Sequence, residues 1–131
     1  MSKYVQSKEI NSMQKLSMAM IFQMDAKSEK AKKNIKNRLK KELDNILEKT
    51  NVFLTYDKER NSFAYVEEDV KESFDEKAIF LLKTLQNFGY SYIITGNIEN
   101  KEFDICTSKT KLTGVSFIQG QLFYHNGEEE V

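Results

Sequence analysis

From Ala31 the apolar positions recur at Ala31, Ile35, Leu39, Leu43, Ile46 and Leu47. At about 100° per residue they stay within roughly half of a helix circumference, which predicts an amphipathic helix. Upstream, MQKLSMAMIFQM (13–24) is apolar nearly all round. On a helix Met13, Met20 and Met24 share one face, and Met18 and Phe22 share the other. Met and Gln are good helix formers, so this run is read as helix, with Asp25 or Ser28 capping a second helix after it.

The pattern then changes period. NVFLTY (51–56) and SFAYV (62–66) are rich in β-branched and aromatic residues and flank the polar DKERN. They read as a hairpin. Ser73 and Glu76 form an S-x-x-E capping box. Behind it Phe74, Ala78, Leu81, Leu82, Leu85 and Phe88 mark an apolar face, and Gly89 is the expected stop. YSYIITGNI (90–98) and EFDIC (102–106) read as a second hairpin. VSFIQGQLFYH (115–125) reads as one strand bent at Gly120, or as two strands turning there.

These elements predict a single α+β domain over residues 1–126. It has a long N-terminal helical region, an antiparallel sheet of about five strands, and one central packing helix. Residues 127–131, with three consecutive carboxylates, are expected to form a disordered acidic tail.

An alternative makes MAMIFQM a strand, because it is apolar on both faces. The order then becomes β-α-β-β-α-β, a ferredoxin-like core. Within residues 52–79, the run LTYDKERNSFAYVEEDVKESFDEKAI resembles the second half of an RNA recognition motif. There an aromatic-small-aromatic-Val strand precedes such a helix. The resemblance implies that Phe63 and Tyr65 stack on bases. Ser62 stands where that motif prefers Gly, and Glu68 where it prefers an aromatic residue.

Composition narrows the picture. A chain of 131 residues fits one domain, and 40% apolar with 31% charged residues suits a globular protein. Neither MAMIF nor AIFLL approaches the length of about 20 apolar residues that a membrane span needs. The opening MSKYVQSKEINS lacks the basic-then-apolar order of a signal peptide. A single Cys leaves no internal disulfide. A cytoplasmic location with no membrane contact is expected.

The net charge is zero, yet the charge is segregated. Residues 1–50 carry 12 Lys and Arg against 6 Asp and Glu; residues 51–131 carry 8 against 14. Seven positive side chains and no negative one lie between Lys30 and Lys41. With Ile35 as the origin of a helical wheel, Lys36, Lys40 and Lys33 fall at about 100–160°. Lys30, Lys41, Lys27 and Arg38 fall at about 220–300°. The charge rings the polar side, as a solvated face would. Lysine outnumbers arginine 18 to 2. An AT-rich coding sequence accounts for that bias, and point-charge lysines favour non-specific over base-specific contact.

Catalytic and metal chemistry find little footing. One His and one Cys cannot supply a tetrahedral N/S set. The carboxylates of EEDVKE (67–72) precede a helix, where negative charge is favoured anyway. Cys106 and His125 are the only conceivable thiol–imidazole pair. Asp57, Glu59 and Asp104 sit near hairpins, where charge is ordinary. No phosphate-cradling glycine motif is present. No catalytic residue, metal or cofactor is expected.

The first functional reading is therefore an accessory or regulatory binding protein, such as a phage- or plasmid-type regulator or inhibitor. It acts through protein–protein contact as a homo-oligomer. Its partner is another protein or a protein–nucleic-acid complex. The Met-rich run supplies the expected oligomer interface, through Met13, Met18, Met20, Phe22 and Met24. The second reading is direct nucleic-acid binding by Lys30, Lys33, Lys36, Lys40 and Lys41, with stacking by Phe63 and Tyr65. The third is a small-ligand or enzyme pocket between helix 74–88 and the sheet, lined by Tyr90 and Tyr92.

Overall fold

The structure, a computed structural model, describes residues 14–126. The chain runs β1 (Gln14–Met24), α1 (Glu29–Leu47), β2 (Thr55–Asp57), β3 (Ser62–Glu67), α2 (Phe74–Leu85), β4 (Ile93–Thr95), a 3-10 turn (Ile98–Asn100), β5 (Phe103–Thr107) and β6 (Val115–Asn126). Six strands form one antiparallel sheet in the order β2-β3-β1-β6-β5-β4. The α+β class holds. With the β4–β5 hairpin set aside, the order is the split β-α-β-β-α-β pattern.

The main correction concerns residues 14–24, which are a strand and not a helix. β1 is central: it pairs with β3 from Met18 to Gln23 and with β6 along its whole length. Ladder hydrogen bonds on both edges outweigh the small helix propensity of Met and Gln. The alternation was masked because both faces lean apolar. Leu16, Met18, Met20, Phe22 and Met24 face one side, and Ser17, Ala19 and Ile21 the other.

α1 forms as the pattern predicts. Ser28 is its N-cap, accepting from the Ala31 amide at 3.1 Å. Ile35, Leu39 and Leu43 are its buried stripe. α2 opens with the expected capping box: Ser73 and Glu76 exchange two 3.2 Å hydrogen bonds. It ends at Leu85, before Gly89. Gly89 serves close packing instead, since a Cβ there would meet the Lys109 carbonyl oxygen at 2.9 Å. β6 is one continuous strand through Gly120.

Both helices lie on the same side of the sheet and share one core with the even-numbered residues of β1. Phe22 meets Phe88 edge-on, with ring centroids 5.1 Å apart. Met18, Met20, Phe22 and Met24 therefore lie inside the chain's own core. The surface they were expected to offer a second copy is occupied by α1 and α2. Met13 and the acidic tail at 127–131 lie outside the described residues. No described helix is long and apolar enough to cross a membrane.

Candidate functional site: a lysine groove and an open sheet face

The β1–β3 register puts Phe63 opposite Phe22 and Tyr65 opposite Met20. Cross-strand partners share a face, so both rings turn toward the helices and are buried. The base-stacking role that the RNA-motif resemblance implied for them is thereby corrected. Their side chains are not on the uncovered face.

α1 and the β2–β3 hairpin enclose a groove of about 420 Å³, lined by Glu29, Lys32, Lys33, Lys36, Asn37, Lys40, Tyr56 and Phe63. Three of the five expected lysines, Lys33, Lys36 and Lys40, meet here. Lys32 joins them. Lys30 and Lys41 do not line it. The hairpin walls one sector of the lysine ring, a division the helical wheel alone does not contain.

The groove is held by specific contacts. Lys32 Nζ donates to the Tyr56 hydroxyl at 3.1 Å and lies 5.5 Å from its ring centroid. Tyr56 donates onward to Asn61 Oδ1 at 3.0 Å, and its ring leans on Phe63 at 5.3 Å. Asn61, at φ 54°, adopts the left-handed conformation that Asn tolerates in turns. Its amide donates to the carbonyls of Met24 and Ala26 at 3.1 and 2.9 Å. This bolts the hairpin to the β1–α1 junction. Lys40 donates to Asn51 Oδ1 at 2.7 Å. Lys33 and Lys36 have no hydrogen-bond or ion-pair partner among the described residues. The one acid lining the groove, Glu29, is 4.0 Å from Lys32 with its own side chain almost fully exposed.

The second feature is the face of the sheet opposite the helices. No described element covers it. Registers place Ser17, Ala19 and Ile21 of β1 on it, beside Ala64 and Val66 of β3 and Gln119, Gln121 and Phe123 of β6. Asp104 and Cys106 of β5 and Ile93 of β4 continue it. Val66 is 43% exposed, Phe123 41% and Ile93 63%. Several of its polar groups are already paired. Asp104 accepts from Gln119 at 3.3 Å and from Gln121 at 3.2 Å.

Ser17 and His125 also meet on this face, with Oγ and Nε2 2.7 Å apart. The Ser17 hydroxyl donates to the Glu68 carbonyl at 3.0 Å. The hydroxyl proton thus has a backbone carbonyl as an acceptor that competes with the imidazole ring. Cys106 pairs with Gln119 and His125 with Lys15. Six residues along β6 separate these positions by about 20 Å, so the thiol and imidazole are far apart. No group of three or more His, Cys, Asp or Glu suited to a metal occurs among the described residues.

A third recess lies between α2 and β4, lined in part by Leu82, Tyr90, Tyr92, Ile94 and Lys111. Tyr90 and Tyr92 thus do meet beside helix 74–88. Tyr92 is committed to structure: its hydroxyl donates to the Leu85 carbonyl at 2.5 Å, and burial pushes its phenol far above the ordinary value. Lys111 caps the same helix end, donating to the Gln86 carbonyl at 3.0 Å.

No family model, curated protein or solved structure matches this chain.

Proposed function

We propose that the protein is a small accessory or regulatory binding protein that acts as a homodimer, and that its dimer contact is the open face of the sheet. The observation carrying this is a six-stranded face that no described element covers, on which Val66, Phe123 and Ile93 are exposed. Strands spaced about 4.8 Å apart, with a central strand of about 35 Å, give a face of several hundred Å². That approaches the roughly 800 Å² per partner of a stable interface. Gln119, Gln121, Ser17 and His125 already hold hydrogen bonds, which lowers the cost of covering them, whereas the Asp104 carboxylate, held by two neutral amides, has to keep access to water. Two such antiparallel faces stack with their strands roughly aligned. The interface thus uses β1, the strand of the Met-rich run, but through its odd-numbered side.

The test is light scattering across a concentration series. Wild-type protein is expected to dimerise. Val66→Lys combined with Phe123→Lys, at positions a monomer tolerates, is expected to give a folded monomer. A wild-type chain that stays monomeric at high micromolar concentration ends this reading.

A further inference from the structure

The groove between α1 and β2 is a second surface, on the helix side of the sheet and independent of the dimer face. We infer that it binds single-stranded nucleic acid, taking the phosphate backbone on its lysine wall and a base on Tyr56.

Four observations carry this. First, Lys32, Lys36 and Lys40 recur every four residues, a rise of about 6 Å between charges. A stacked strand carries one phosphate per about 3.4 Å, and a strand drawn out of its stack has a longer repeat that these lysines can follow. Lys33 widens the same wall. Second, the charge is only weakly compensated. Lys32 has one acid, the exposed Glu29 at 4.0 Å, and also donates to the neutral Tyr56; Lys40 is held by the neutral Asn51, and Lys33 and Lys36 by nothing among the described residues. Four lysines thus face one carboxylate in the groove.

Third, the opposite wall is aromatic. The Tyr56 ring is 42% exposed and is braced from behind by Phe63 and from its hydroxyl by Asn61. A fixed, accessible ring beside a cationic rail is the arrangement by which sequence-tolerant single-strand binders hold bases and backbone together. A duplex keeps its bases stacked inside, where this ring cannot reach them. Fourth, a groove of about 420 Å³ lies within the size range of small-ligand clefts, so it takes a nucleotide or two at a time. The cations are lysines and not arginines, so bidentate base reading is absent and sequence preference is expected to be weak.

The experiment is fluorescence anisotropy of a labelled ten-nucleotide oligo-dT, with the same sequence as a duplex and with polyglutamate as competitor. Measurements run at 50 and 200 mM salt. Wild-type protein is expected to bind the single strand in preference to the duplex. Log affinity should fall with log salt at a slope of about −2 to −3, for three or four engaged phosphates. Lys33→Gln with Lys36→Gln and Lys40→Gln is expected to weaken binding at least tenfold. Tyr56→Leu should weaken it about fivefold or more with an unchanged salt slope.

The matched control is Lys27→Gln with Lys30→Gln and Lys41→Gln. It removes the same charge from exposed positions outside the groove and should cost under threefold. Equal losses in the two triple variants would show a diffuse charge effect and overturn the site. So would an unaltered affinity in the groove variant, or no wild-type binding at 50 mM salt. Polyglutamate displacement is expected only at large excess. Displacement at equal concentration, with Tyr56→Leu silent, would mark an acidic-peptide site and refute the inference. Circular dichroism on each variant confirms that the fold is retained.

Discussion

Gly120 of β6 lies directly beneath Leu85 of α2: a Cβ at Gly120 would stand 2.6 Å from Leu85 Cδ1. Leu81 would be met at 3.1 Å. The glycine is thus a contact point between sheet and helix and not a bend, and Gly120 faces the core as Ile118 and Leu122 do.

Filling that contact has a predictable cost. Gly120→Ala is expected to destabilise by about 1–2 kcal/mol, the flexible ends of Leu81 and Leu85 absorbing part of the strain. Gly120→Val should cost more, since its branches have nowhere to go. Urea unfolding followed by far-UV circular dichroism measures both. An alanine variant as stable as wild type would show that α2 does not press on β6.

Lys77 sits on α2 with only 5% exposure. Its ammonium lies 2.8 Å from Glu67 and 3.5 Å from Glu72, and 4.3 Å from the centroid of Phe80. Lys77→Ala strips the partner from a half-buried carboxylate and leaves a gap, so a loss of about 2–3 kcal/mol is expected. Lys77→Met keeps the volume and should lose less. Thermal melts of the two variants decide the order; since both remove the ammonium, a reversed order would contradict the packing role of the Lys77 stem.

Alkaline pH should weaken the fold through Tyr92. Burial raises its phenol far above the ordinary value, and burial together with the Asp75 charge raises Tyr124. In each case the folded chain holds a proton that the unfolded chain releases. Their stability contribution is fully present below about pH 10 and declines as pH rises toward the folded-state values. Tyr92→Phe is expected to lose about 1 kcal/mol at neutral pH, from the hydrogen bond to Leu85, and to flatten the alkaline decline. Urea midpoints at pH 8, 10 and 11 provide the check. Parallel curves for variant and wild type would refute it.

The groove's far end depends on Asp44. Its carboxylate accepts from the amides of Asn51 and Val52 at 3.0 and 2.8 Å, turning the chain back after α1. Asn51 then reaches Lys40. Asp44→Ala is expected to cost about 1–2 kcal/mol, as loss of charge-assisted bonds to backbone amides does. Hydrogen exchange should quicken at Asn51 and Val52 and leave the core of β1 unchanged. Uniform change across the chain would argue against this local role.

Much of the architecture was legible residue by residue. α1 was visible in the spacing of Ile35, Leu39 and Leu43, and α2 in the Ser73–Glu76 box. Both hairpins showed in their alternation and polar turns. β1 was legible as a strand only as the alternative to a helix, because Ser17, Ala19 and Ile21 are small or apolar and blur the two-residue period. Of the candidate site, Lys33, Lys36 and Lys40 were legible and Lys32 and Tyr56 were missed. The missing signal was available in part: Lys32 belongs to the same four-residue series as Lys36 and Lys40. Nothing local, however, says which sector of a helix a hairpin will wall.

The sequence alone determined what depends on neighbours in the chain: helix stripes, caps, turns and the segregation of charge. Those follow from periodicity and from backbone groups satisfied within a few residues. Only the tertiary structure decided what depends on distant pairing. It made 14–24 a central strand, because β3 and β6 supply hydrogen bonds on both its edges. It sent Phe63 and Tyr65 to the core, because register assigns alternate residues to opposite faces. It divided one ring of lysines into a walled groove and a solvated remainder, because the β2–β3 hairpin, anchored by Asn61, packs beside one sector of α1.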